Sequence, residues 1–343
     1  TDKFNIGHPL IDSTTPKWNR IIKGDVKGNF FPAQQFFDEL NIPHPNANLS
    51  VGSGSHAQQT AAIMIAFEEY LLAHTTDLVL VVGDINSTMA ATLVAKKMNI
   101  KVAHVEAGIR SFDLTMPEEI NRMVTDAICD YFFVTSRVAI KNLKNEGIKD
   151  QQIFFVGNTM IDTLLKNKTR FKKPAAYDLL ELKEKNYLVS TLHRPSNVDN
   201  PENLQKLMLA IGALDKVVVF PCHPRTKAKL ALINHIPDNL KLVDPLSYLE
   251  FMYLIKNSFA VITDSGGITE ETTVLGIPCM TLRANTERPE TVELGTNQLL
   301  GTDPSAIQPA YDKLLKDKTT EGQIPELWDG KTSERIIAHL LAL

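Results

Sequence analysis

The chain has 343 residues, 43% of them hydrophobic, with a formal net charge of -4. That length exceeds the roughly 250–300 residues at which a single core stops growing, so two domains are expected. With no basic excess, and Lys and Arg scattered apart from short pairs such as Lys172 and Lys173, nucleic acid and anionic membrane surfaces are poor partners.

The first 50 residues are interrupted by Pro9, Pro16, Pro32, Pro43 and Pro45 and offer one expected helix, over 34–40. From residue 78 short apolar runs alternate with amphipathic stretches, the pattern of repeated βαβ units around parallel sheets. Strands are expected at 78–82, 101–105, 131–134, 153–156, 187–190, 217–220, 240–243, 260–263 and 279–282, with helices such as 58–72, 136–146 and 204–214. The segment 168–186, rich in Lys, Ala and Glu and holding Pro174, is the expected linker between two strand groups, and 333–343 reads as a last helix. Cys129, Cys222 and Cys279 lie far apart, which argues against a disulfide framework or structural zinc and fits a reducing cytoplasm. No apolar run approaches the roughly 20 residues of a membrane helix. The opening has no signal-peptide pattern, and a start on Thr1 rather than Met reads as processed or truncated.

Three carboxylates stand at or near strand ends and helix starts. Asp84 follows an apolar run and Gly83, ahead of Asn86, Ser87 and Thr88, where an aspartate also serves as a helix cap. Glu106 ends the run 102–105 just before Ala107 and Gly108, a costly place for a carboxylate unless it meets a ligand or a cation. Glu118 has a structural reading too. Thr115 to Glu118 matches a capping box with Pro117 in the first turn, and Arg122 falls at the i+4 spacing of a surface pair. That sheet edge is where open α/β folds bind ligands, and carboxylates crowded there raise one another's pKa and divide into proton donor and acceptor.

The second half carries donors. His193 and Arg194 follow one strand, and His223 and Arg225 follow the next; two cationic turns favour an anionic ligand. In the run TDSGGITEE at 263–271, Ser265 caps a helix and Gly266 and Gly267 let a phosphate approach its positive N-terminus. Glu271, about one and a half turns on, is placed to reach a ribose hydroxyl of a bound nucleotide. The run GSGSHA at 52–57 imitates a dinucleotide fingerprint, but with no buried strand before it the reading is a helix-entry turn.

Taken in order, GDINST (83–88), HVEAGIR (104–110), PEEINR (117–122), GNTMID (157–162), LHRP (192–195), DSGGITEE (264–271) and TERPE (286–290) resemble the non-hydrolysing UDP-N-acetylglucosamine 2-epimerases, from about residue 36 to the C-terminus. The resemblance implies an α/β fold of two Rossmann-like domains with parallel sheets facing a cleft, GT-B-like. These would be residues 1–168 with the carboxylates, and 169–343 with the UDP site and a last helix returning to the first domain. It also implies a cytoplasmic homodimer that interconverts UDP-N-acetylglucosamine and UDP-N-acetylmannosamine without cofactor or metal, by elimination of UDP to a 2-acetamidoglucal and re-addition. Asp84, Glu106 and Glu118 become the catalytic carboxylates, with His193 near the leaving diphosphate. Arg110, Arg122, His223 and Arg288 contact the ligand, Ser265, Gly266 and Gly267 hold phosphate, and Glu271 holds the ribose. Residues 1–35 are too short and too polar for the family's first βαβ unit with its diphosphate-facing arginine, so the first domain is expected to lack it. That departure keeps two other readings in play, a catalytically weak UDP-sugar binder or sensor and a glycosyltransferase on the same architecture.

Overall fold

The computed structural model describes residues 22–23 and 38–343 except 44, 223, 232, 234 and 317–321. Two compact units divide the chain, residues 1–166 with 326–343, and residues 167–325. The expectation of a missing N-terminal βαβ unit lies outside the described residues. So does most of the expected helix 34–40, of which residues 38–40 are helical. A two-residue parallel pair, β1 (Ile22–Lys23) with β2 (Ala47–Asn48), precedes the main sheets.

The first unit is built on β3 (Leu78–Val82), β4 (Lys101–Ala107), β5 (Tyr131–Val134) and β6 (Ile153–Phe155), parallel and adjacent in that order. A parallel sheet must be covered on both faces, and alternate residues supply each cover. Val79, Val81, Val102 and Phe132 pack with Phe67, Leu71, Val94 and Leu143, while Ala103, Val105 and Phe133 pack with Ile336. Ile336 belongs to the final helix, Thr332–Ala342. Lys331, at that helix's cap position, gives no side-chain cap bond. Asp162 caps it from elsewhere in the chain: Oδ1 accepts the Thr332 N–H at 3.0 Å, and Oδ2 accepts the Ser333 N–H and hydroxyl at 2.7 Å each.

The second unit has six parallel strands, β7 (Tyr187–Thr191), β8 (Val217–Pro221), β9 (Leu240–Val243), β10 (Ala260–Thr263), β11 (Cys279–Thr281) and β12 (Asn297–Leu299), in spatial order β12-β11-β10-β7-β8-β9. The chain winds outward from β7 to β9 and then restarts on the other side of β7, the doubly wound dinucleotide-domain order. The order reverses between β7 and β10, which pair from Leu188↔Ala260 to Thr191↔Thr263. Leu188, Val218, Phe220, Ala260 and Ile262 bury one face against Leu204, Leu207, Ile211 and Tyr311.

The expected linker 168–186 is folded onto this unit. Leu182 is buried, Tyr177 meets Tyr187 and Tyr253 edge-on, and the Lys172 and Lys185 N–H groups donate to Leu249 and Asn257 carbonyls. Its aromatic and leucine anchors outweigh its charged composition. β12 escaped the sequence reading because a three-residue Asn-Gln-Leu edge strand has no apolar run to detect. The helix after the false fingerprint runs His56–Ala73, and Ser55 and Gln58 cap it reciprocally.

Asp162→Ala should strand two amide groups at the start of the last helix and cost about 2 kcal/mol, with Asp162→Asn costing less. Urea unfolding, and faster amide exchange at Thr332 and Ser333, check this.

Candidate functional site

In the first unit the carboxyl edge of the sheet gathers the acidic residues. Val82 pairs with Val105, and the Gly83 N–H donates to the Val105 carbonyl at 3.1 Å, so Asp84 and Glu106 leave neighbouring strands side by side. Gly83 turns with φ +71°, a conformation open to glycine at little cost. Glu106 holds φ +69° without being glycine, a strain on the order of 1–3 kcal/mol of the kind that collects at functional sites. The β4 register shifts between Val105 and Ala107, and such a bulge re-aims the side chain it carries. The strand therefore runs past the expected end at 105.

The helix Pro117–Ile128 brings the third carboxylate. Asn121 Nδ2 donates to the Asp84 carbonyl at 2.9 Å, and Arg122 Nη1 donates to Asp84 Oδ2. These two ties seat the helix on the Asp84 turn, with half-buried Glu118 one turn before Arg122. Arg122 is 2% exposed and lies between two carboxylates, since its Nε and Nη2 also reach Glu119 at 2.8 and 2.7 Å. Glu119 further accepts the Ser111 and Phe112 N–H groups. Burial opposes its charge, yet these donors hold its carboxyl below the ordinary range.

The structural readings of the sequence fail here. Met116, not Thr115, occupies the cap position without a side-chain bond, and Thr115 bonds Asp113 instead. Arg122 takes Glu119 and Asp84 rather than Glu118. Asp84 is not a cap either, since Ile85 holds that position. Arg110, expected at the ligand, is 5% exposed and spends its guanidinium inside the unit. It bonds Glu146 through two nitrogens at 2.7 and 2.6 Å, the Ile109 carbonyl at 2.7 Å and Asp126 at 2.7 Å.

In the second unit, Asp264 follows β10 and His193 follows β7, at the point where the strand order reverses and doubly wound folds bind ligands. Asp264 is fully buried. It accepts the His193 and Arg194 backbone N–H groups and Asn197 Nδ2 at 2.9–3.1 Å, and its Oδ1 lies 2.8 Å from His193 Nδ1. Burial would raise its pKa, but this set of donors lowers it. The His193 side chain is 44% exposed; with Nδ1 engaged, Nε2 is the ring nitrogen left for a ligand.

Beside it starts the helix Gly266–Leu275. Ser265 sits at the cap position, but its hydroxyl makes no cap bond, contrary to the sequence reading. Arg283 Nη1 lies 3.5 Å from where a Gly266 side chain would begin, so a guanidinium flanks the positive helix end. Arg283 grips Glu287 through two nitrogens at 2.7 Å each; burial opposes the Glu287 charge, but Arg283 holds its pKa down to about 2. Glu271, buried, accepts the Tyr248 hydroxyl at 2.8 Å. Arg288 pairs with Glu270. His223 lies outside the described residues.

The structure thus sets Asp84 and Glu106 on neighbouring strand ends, with Arg122 bonded to Asp84 and Glu118 on the same helix as Arg122; His193 follows β7, Ser265, Gly266, Gly267 and Glu271 lie at or in the helix after β10, and Arg288 pairs with Glu270 of that helix. Sequence reasoning missed His104, Glu119, Asn121, Asp126, Asp264, Arg283 and Glu287. One signal was available. Residues 119, 122 and 126 recur at helical spacing, yet polar stripes are ordinarily taken as solvent-facing, and here that stripe is buried while Ile120 and Met123 are exposed.

Two Rossmann-like parallel-sheet domains, one with buried donors at its strand switch point and the other with carboxylates at its sheet edge, define a GT-B-like α/β protein. A family model described as UDP-N-acetylglucosamine 2-epimerase matches residues 32–341, and the chain belongs to that family. The UDP-N-acetylglucosamine 2-epimerase of Methanocaldococcus jannaschii is 44% identical over 317 residues, 89% of this chain and 86% of that protein. A Pseudomonas aeruginosa UDP-2,3-diacetamido-2,3-dideoxy-D-glucuronate 2-epimerase is 38% identical over 314 residues, covering 90% and 87%. The solved structure of the M. jannaschii UDP-GlcNAc 2-epimerase in complex with UDP-GlcNAc and UDP matches with a TM-score of 0.82 at 43% identity, over 90% of this chain and 88% of that one.

Glu290 supplies a pH test of the second unit. Burial pushes its carboxyl from the ordinary 4.5 up to about 7, and its Oε2 has no hydrogen-bond partner among the described residues. A raised carboxyl favours folding below its unfolded pKa and loses that contribution as pH rises through the folded value. Glu290→Gln should therefore gain stability over the parent chain as pH climbs from 4.5 through about 7, by up to about 3 kcal/mol. Urea titrations across that window check it.

Proposed function

We propose that this protein inverts C2 of a UDP-linked N-acetylhexosamine, interconverting UDP-N-acetylglucosamine and UDP-N-acetylmannosamine. The observation that supports the reading is that Asp84 and Glu106 follow paired strands at one sheet edge, with the helix that carries Glu118 bonded to the Asp84 turn through Asn121 and Arg122. The C2 hydrogen of the intact sugar is not acidic. It becomes removable as the C1–O bond breaks and oxocarbenium character builds at C1. One carboxylate takes the C2 proton, the C1–O electron pair leaves with UDP, and a 2-acetamidoglucal remains. A UDP oxygen then re-forms the bond to C1 while a second carboxylate returns a proton to the opposite face of C2, so each cycle balances without net redox. Acid and base groups of this kind contribute about 10²–10⁴ in rate each.

The diphosphate needs cationic or dipolar partners as it departs. Ser265, Gly266 and Gly267 at the helix start, His193 with Asp264 behind it, and Arg288 are assigned to it; Glu271, oriented by Tyr248, is assigned to the ribose. Arg122 acts through Asp84, fixing that carboxylate's direction. The family reading also assigns a homodimer and a cytoplasmic location. No helix among the described residues is long and apolar enough to cross a membrane.

In deuterated water, UDP-N-acetylglucosamine incubated with the protein should gain deuterium at C2 and yield the manno epimer. Glu106→Gln should lower turnover about 10²–10⁴-fold. UDP-sugar binding by calorimetry without any exchange would make the chain a binder or sensor, and UDP release only on adding an acceptor would make it a glycosyltransferase. Because one relative is named for a diacetamido uronate, that UDP-sugar belongs in the same assay as a competing substrate.

A further inference from the structure

Among the described residues His104 is the one fully buried histidine, and the proposed chemistry does not use it. It lies on β4 two residues before Glu106. Its Nε2 is 2.9 Å from the Gly83 carbonyl oxygen and its Nδ1 is 2.7 Å from Asp126 Oδ1. A carbonyl only accepts, so Nε2 carries a hydrogen. Asp126 receives Arg110 Nη1 at 2.7 Å and the Gly108 N–H at 3.0 Å on its other oxygen, a donor set that fits an ionised carboxylate. Nδ1 then carries a hydrogen as well, and the ring is an imidazolium. Burial by itself would neutralise such a ring, but the Asp126 charge and hydrogen bond, with the Gly83 carbonyl, keep its pKa above the ordinary value. Burial likewise opposes the Asp126 charge, and His104 and Arg110 hold that carboxyl below its ordinary range.

What this pair touches is more informative than its charge. Gly83, with φ +71°, immediately precedes Asp84; Gly108, with φ +75°, closes the bulge that carries Glu106. A side chain at Gly108 would begin 2.5 Å from the Ala139 carbonyl oxygen, so that turn admits only glycine. Asp126 sits four residues after Arg122 on the helix that bears Glu118. We infer that the His104–Asp126 ion pair is the positioning device that sets the spacing of the three carboxylates, His104 clamping the Asp84 turn and Asp126 clamping the Glu106 turn from the Glu118 helix. Both residues are fully buried, so their role is positioning rather than contact with the sugar. The inference rests on the epimerase reading for its consequence, because small displacements of reacting groups cost about 10²-fold in rate while leaving remote binding intact.

Two measurements on the full chain test it. Nitrogen-15 spectra of histidine-labelled protein at neutral pH, assigned against His104→Gln, should show both His104 ring nitrogens protonated; a neutral ring overturns the inference whatever the activity. His104→Gln and Asp126→Asn should lower kcat and C2 deuterium exchange about 100-fold, with KM and UDP affinity within about twofold of the parent chain. A folded His104→Gln protein with parental kcat overturns the inference, and if that variant does not fold, the spectrum of the parent chain decides, its signals then assigned against Asp126→Asn. A parent chain that binds UDP-sugar yet never exchanges C2 hydrogen defeats the epimerase reading by itself, and the protonation state of the His104 ring still decides whether the ion pair exists.

Discussion

Parallel pairing is the constraint from which the rest follows. When every strand of a sheet points the same way, every strand ends at the same edge, and the turns that leave those ends become neighbours however far apart they lie in sequence. Asp84 and Glu106 are brought together by the β3–β4 ladder, and His193 and Asp264 by the β7–β10 ladder. The apolar alternation that buries both faces of each sheet is therefore also what assembles the polar clusters.

Those clusters are held by buried charges in matched sets. A guanidinium or imidazolium out of reach of water survives only when anions meet it with good geometry, and removing one partner of such a pair costs about 3–5 kcal/mol. Arg122 between Asp84 and Glu119, Arg110 between Asp126 and Glu146, and Arg283 against Glu287 all obey this rule. The pairing that offsets the cost of burial also fixes these side chains in place. Asp84 and His193 each stand at the water-accessible rim of such a set, oriented before any ligand arrives. Preorganised donors and acceptors of that kind are the usual source of catalytic power.

Much of this is legible in the amino-acid sequence. The strand runs, the two-domain α/β class and the carboxylates at the strand ends follow from apolar periodicity and from which residues interrupt it. The family resemblance points to a GT-B-like epimerase, and family membership agrees. Sequence reasoning goes astray where a residue's type suggests one partner and the fold supplies another. Arg122 looks like a partner for Glu118 on a helix surface, yet it is buried between Asp84 and Glu119. The segment 168–186 has the composition of a linker, but Tyr177 and Leu182 find places against the second unit.

Local sequence by itself determined most of the longer elements and their order, because hydrophobic period acts over a few residues; the short edge strand β12 and several helix caps were not among them. It also determined which side chains were available for acid, base and anion-binding work. Only the tertiary structure decided which of them meet. That the polar stripe of Pro117–Ile128 faces inward, that Asp162 caps a helix at Thr332, and that His104 links Gly83 to Asp126 are long-range facts. Each depends on how strands register and helices dock, and no window of neighbouring residues encodes that.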